Sequence, residues 1–144
     1  MMFVMRKLIF LLSALLLCAG CDKNEGEPLD MAEQTRINNQ FLGLWQEVDH
    51  PRHQCKYKGF HSNFKYTSFT LMLYSGDKIP STYDGKPYHF EKGPECSKGT
   101  VYTLVVDGKK VSLVCKYKGL LYSWNVGTNP ETWVGDPKYA YERN

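Results

Sequence analysis

Asp107-Gly108 stands between two runs rich in Val, Leu, Thr and Tyr, 100–106 and 109–117. Asp-Gly suits a type I′ turn, whose two central residues take positive φ and whose twist matches a pair of antiparallel strands. A chain with this hairpin near its middle is committed to an antiparallel sheet. Lys118-Gly119 turns it again into a further strand over 120–126; a period of two runs through 42–48, a second short strand is expected over 54–60, and the period of two returns over 64–74. The last of these is rich in Phe, Tyr and Thr, as a half-buried pleated surface requires. Pro51 ends the first run and Ser75-Gly76-Asp77 the third. Between 78 and 98, three prolines and two glycines break the alternation, and Asp84-Gly85 marks a second tight turn, joining 81–83 to 88–90.

The expected fold is therefore all-β: a small antiparallel meander closing into a barrel or sandwich. A short helix precedes it over 28–40, with Asp30 as N-cap, Glu33 three residues on, and a stripe of Met31, Gln34, Ile37 and Phe41. The tail, 127–144, is broken by Pro and Gly but holds Trp133, Tyr139 and Tyr141, so part of it packs.

The first 21 residues have a different logic. Arg6-Lys7 precede an apolar run too short to span a bilayer, which needs about 20 apolar residues, and small residues lead from that run to Cys21. This is the layout of a secretory signal peptide. Cys18-Ala19-Gly20-Cys21 resembles the lipobox of bacterial lipoproteins, departing from it at Cys18, where Leu is commoner. The resemblance implies cleavage before Cys21, acylation of that cysteine, and a domain tethered to the inner or outer membrane in the periplasm or at the cell surface. The chain then divides into a signal peptide (1–20), a polar lipidated tether (21–28) and one β-rich domain (29–144). Loss of Arg6 and Lys7 from the 18 cations leaves 16 against 15 acids, a balance that gives no case for nucleic acid.

Gly43-Leu44-Trp45 resembles the Gly-x-Trp signature of lipocalin-like barrels. The resemblance implies a small barrel with Trp45 closing one end and, more remotely, a ligand cavity. No phosphate-binding glycine loop, Gly-x-Ser-x-Gly elbow or His-Glu-x-x-His is present, so neither an enzyme nor a cofactor is expected. His50, His53, Cys55 and His61 are residue types that zinc or copper favours, but their spacing fits no metal motif, and a polar loop is the expected alternative. Tyr122, Trp124, Trp133, Tyr139 and Tyr141 form the candidate surface for a macromolecular partner, since Tyr and Trp anchor interfaces; Tyr122 and Trp124 could equally face the core. An envelope protein is the expected partner, in a role of immunity, exclusion or inhibition, with a small-ligand or metal-binding lipoprotein as the alternative. Of the cysteines left after processing, Cys96 and Cys115 are expected to pair, because strict pairing across Asp107-Gly108 sets Thr100 opposite Cys115 with Cys96 four residues away. Cys55 is the competitor, since Cys55-Lys56-Tyr57-Lys58-Gly59 recurs as Cys115-Lys116-Tyr117-Lys118-Gly119.

Overall fold

A computed structural model describes residues 29–144. The signal peptide, Cys21 and the tether lie outside the described residues. One helix, α1 (Met31–Phe41), is followed by nine strands: β1 (Gly43–Glu47), β2 (Gln54–Phe60), β3 (Thr67–Met72), β4 (Lys78–Pro80), β5 (Tyr88–Lys92), β6 (Val101–Val106), β7 (Lys109–Tyr117), β8 (Leu120–Trp124) and β9 (Ala140–Arg143). Two 3-10 turns, Pro130–Thr132 and Pro137–Tyr139, separate the last two strands. Every pairing is antiparallel. The order is β4-β3-β2-β1-β9-β8-β7-β6-β5, so the final strand joins two meanders by slotting between β1 and β8. The sheet does not close into a continuous ladder. Its ends are tied just ahead of β3 and β5 by a single bridge, Lys65 to Pro87, flanked by Tyr66 N–H to Lys86 C=O at 2.8 Å and Tyr88 N–H to Phe64 C=O at 2.9 Å.

Helix α1 starts where its cap allows: Asp30 Oδ1 accepts from the Glu33 N–H at 2.9 Å. Its buried face is Gln34, Ile37, Asn38 and Phe41. Gln34 uses its amide as a substitute strand, donating to Phe90 C=O at 2.6 Å and accepting from Phe90 N–H at 2.8 Å. That satisfies backbone groups on β5, the edge strand, which would otherwise be exposed or orphaned. Asn38 donates to His61 C=O at 2.8 Å and accepts from the Tyr88 hydroxyl at 2.6 Å. The helix is thus held by side-chain amides as well as by its apolar stripe.

Alternation sorts the sheet residues onto two faces. The inner face packs Phe60, Phe90, Tyr102 and Leu104 with Phe41 of α1 into the main core. On the outer face, Val101, Leu113, Cys115 and Tyr122 are covered by the tail through Trp133 and Val134.

Three details differ from the sequence expectation. Residues 81–83 are not a strand; β4 pairs with β3, while β5 pairs with β6, so the segment around Asp84-Gly85 is a connection between them. Its turn is pinned to the sheet instead, by Gly85 N–H to Tyr66 C=O at 2.7 Å and Ser68 N–H to Asp84 Oδ1 at 2.8 Å. The central hairpin forms with Asp107 and Gly108 at φ 52° and 77°, as type I′ demands. Its register slips, however: Leu104 faces Ser112 and Val105 faces Lys110, leaving Val111 as a bulge, so Val101 rather than Thr100 stands opposite Cys115.

Candidate functional site

Trp45 is fully buried and marks the α1 side of the sheet. Its indole N–H donates to Phe41 C=O at 2.8 Å, and the Arg143 guanidinium lies over its ring at 4.3 Å. Arg143 also donates to the carbonyls of Leu42 and, at 3.2 Å, Gln40, fastening the last strand to the end of α1. Gly43 is needed here: its φ is 118°, and a Cβ would sit 3.0 Å from the guanidinium.

Away from α1 the inner face changes character. Ser68 on β3, Ser112 on β7 and Ser123 on β8 occupy inward positions where a packed core would carry Leu or Phe. The space they leave is a cavity of about 310 Å³, half open to solvent, with two lysines and no carboxylate in its lining. Such a volume lies at the low end of the ~300–1,000 Å³ typical of small-molecule sites. Its walls also include Tyr83, Trp124 and Tyr141. The Val111 bulge shapes one wall, since it lets Val111 and Ser112 both line the space.

Lys58 is the central charge. It stands opposite Trp45 in the β1–β2 ladder, and its Nζ donates to Ser123 Oγ at 2.9 Å and lies 5.0 Å from the centre of the Tyr141 ring. Burial pushes its pKa down from 10.5 to about 8; Lys56 adds to the depression and Glu47 opposes it. The residue as a whole is partly covered, and its Nζ reaches inward to Ser123. Burial likewise raises the pKa of Tyr141 well above that of a free phenol. Ser112 is 6 % exposed, and its Oγ is buried with no hydrogen-bond partner.

The aromatic residues expected at a partner surface separate. Tyr122, Trp133 and Tyr141 are buried in the two cores rather than displayed on an outer surface. Trp124 stays 40 % exposed, and its ring meets that of half-buried Tyr139 edge-on at 4.6 Å. The physical reason is the tail, whose two 3-10 turns fold Trp133 and Val134 onto β6–β8 and place Tyr141 in the sheet.

Cys55, Cys96 and Cys115 carry free thiols, so the Cys96–Cys115 bridge is not formed here. Cys96 packs in the cluster that contains Cys115. Burial, with Cys96 as a second contributor, pushes the Cys115 thiol up to about 11. Cys55 sits four strands away across the sheet, on the order of 15–20 Å, which excludes it as a partner for Cys115. The repeated pentapeptide has two different uses: Gly59 stays within β2, whereas Lys118 and Gly119 form the β7–β8 turn at φ 50° and 81°. Cys55 is the second residue of β2 and His61 follows its end, roughly 20 Å along an extended strand, so these two cannot share one metal; among the described residues no three His, Cys, Asp or Glu side chains gather as a metal site. His61 instead contacts Thr67 Oγ1 at 2.7 Å.

Among the described residues no helix is long and apolar enough to cross a membrane. No protein-family model, curated protein or solved structure matches the chain.

Proposed function

We propose that this is a lipid-anchored protein of the bacterial cell envelope that binds a small molecule in the cavity on the inner face of its sheet. The observation that carries this reading is the cavity itself. Serines stand at inward positions of β3, β7 and β8, and a desolvated lysine faces them, where packing alone would favour apolar side chains. Signal, lipobox-like Cys21 and polar tether supply the address. The Gly-x-Trp resemblance accords with a barrel-like binder closed at Trp45. Binding rather than catalysis fits a lining without histidine or carboxylate.

The experiment is native mass spectrometry of the full-length protein extracted from envelopes. A co-purifying small molecule is expected, and Ser123→Phe, which fills the cavity, should remove it while the protein stays folded. A stoichiometric protein partner with no small molecule would overturn this reading.

One observation favours the second reading, an envelope protein as partner. The β3–β4 hairpin ends in an exposed apolar tip, with Leu73, Tyr74 and Ile79 exposed by 41 %, 84 % and 54 %. Tyrosine so placed is a favoured anchor. Tyr74→Ser would abolish capture of that partner and leave a cavity ligand in place.

A further inference from the structure

The cavity's lining combines two cations with hydroxyls and an amide and holds no carboxylate. Lys58 Nζ, held 2.9 Å from Ser123 Oγ, brings a positive charge; Ser112 brings a buried hydroxyl with no partner; and Lys56 adds a second cation at the rim. The aromatic side chains of the lining that matter are Tyr83 and Tyr141. A buried hydroxyl left unpaired is costly, and a lysine without a carboxylate partner in a desolvated site is costlier. Both costs are relieved by the same occupant, one that offers acceptor oxygens with negative charge and an apolar body for the rings.

We infer that the cavity is a site for a small aromatic molecule bearing one anionic oxygen group, a carboxylate or a phosphate, with Lys58 and the hydroxyls of Ser112 and Ser123 as its polar partners. This rests on the small-molecule reading above and specifies its chemistry. Hydrogen bonds between charged groups are the strong ones. The lysine–serine pair also has the composition of a nucleophile and its base. In the structure, though, Lys58 Nζ donates to Ser123 Oγ, the reverse of a base taking the hydroxyl proton. A protonated ammonium cannot take the hydroxyl proton, so the pair donates to an anion and does not attack a carbonyl.

The charged and titratable groups around Lys58 are Lys56 on its own strand, Glu47 on β1 and Tyr141 on β9. Tyr141 stays neutral well past the range in which Lys58 loses its proton. Anion affinity should therefore fall as pH rises through about 8.

The test uses full-length protein in detergent and three matched probes, benzoate, phenyl phosphate and benzamide, titrated by calorimetry or amide NMR. At least one of the two anions should bind, and benzamide should bind about tenfold or more weakly, the size of a charge-assisted hydrogen bond. The better anion identifies carboxylate or phosphate as the group recognised. Lys58→Met should remove the preference for anions. Ser112→Ala should weaken anion binding without lowering the melting temperature, a combination that a purely structural serine would not give. Equal binding of benzamide and benzoate would overturn the anion assignment while leaving a small-molecule site intact. Failure of all three probes, with a small molecule still seen by native mass spectrometry, would overturn the aromatic anion class. Failure of both would remove the site altogether.

Discussion

Lys58→Met separates a lysine kept for binding from one kept for stability. The folded protein lowers the pKa of Lys58 from 10.5 to about 8. At about 1.4 kcal/mol per unit, holding the charge in the sheet interior costs roughly 3 kcal/mol at neutral pH. The sign follows from proton counting. Between about pH 8 and 10.5 the unfolded chain holds the proton that the folded chain has released, so this contribution makes stability rise with pH across that window. Below the window the penalty is present in full. Methionine keeps the length of the stem and removes the charge, while leaving the Ser123 hydroxyl without its donor at a cost of about 1 kcal/mol. The net expectation is a gain of about 2 kcal/mol at pH 7, or a rise in melting temperature of about 8 °C for a domain of this size. Urea melts of both proteins at pH 7 and at pH 10 give the comparison. The advantage of the variant should vanish or reverse at the higher pH. Tyr66, Tyr88 and Tyr141, whose pKa values burial raises, lose stability above about pH 10 in both proteins, so the difference cancels them. A variant less stable than the parent, with a gap that does not change with pH, would refute the reasoning.

Other perturbations test the frame around the cavity. Gln34→Ala leaves both Phe90 backbone groups without partners and should destabilise the fold by about 2–4 kcal/mol in chemical denaturation. Trp45→Ala should cost about 3–5 kcal/mol, and Arg143→Ala, at an exposed position, only about 1–2 kcal/mol by the same assay. Asp30→Ala removes the cap of α1 and should cost about 1 kcal/mol. In protein exported to an oxidising compartment, non-reducing peptide mapping should find Cys96 joined to Cys115, with a gain of about 2–4 kcal/mol over the reduced form; a crosslinked Cys55 peptide would contradict the placement.

Elements set by local pattern were legible from the sequence. The Asp30 cap and Glu33 located α1, Asp107-Gly108 located the β6–β7 turn, and the short run after Pro51 gave β2 at its observed bounds. What depends on distant partners was not legible. The three residues of β4 and the four of β9 are too short to carry a period, and only the sheet decides that β9 lies between β1 and β8. The Val111 bulge breaks no sequence rule, yet it moves the register by one residue and lets Ser112 line the cavity. A signal for the cavity was present: Ser112 and Ser123 interrupt apolar runs at inward positions. It was outweighed by Tyr122, Trp133 and Tyr141, whose burial depends on a tail with no periodicity of its own.

The most direct measurement is an amide NMR titration of the full-length protein with benzoate at neutral pH, followed residue by residue. A ligand site in the cavity predicts saturable shifts clustered at Lys58, Ser112, Ser123 and Tyr141, with the β3–β4 tip at Tyr74 unmoved. Shifts confined to that tip, or scattered over the surface without saturation, would contradict it.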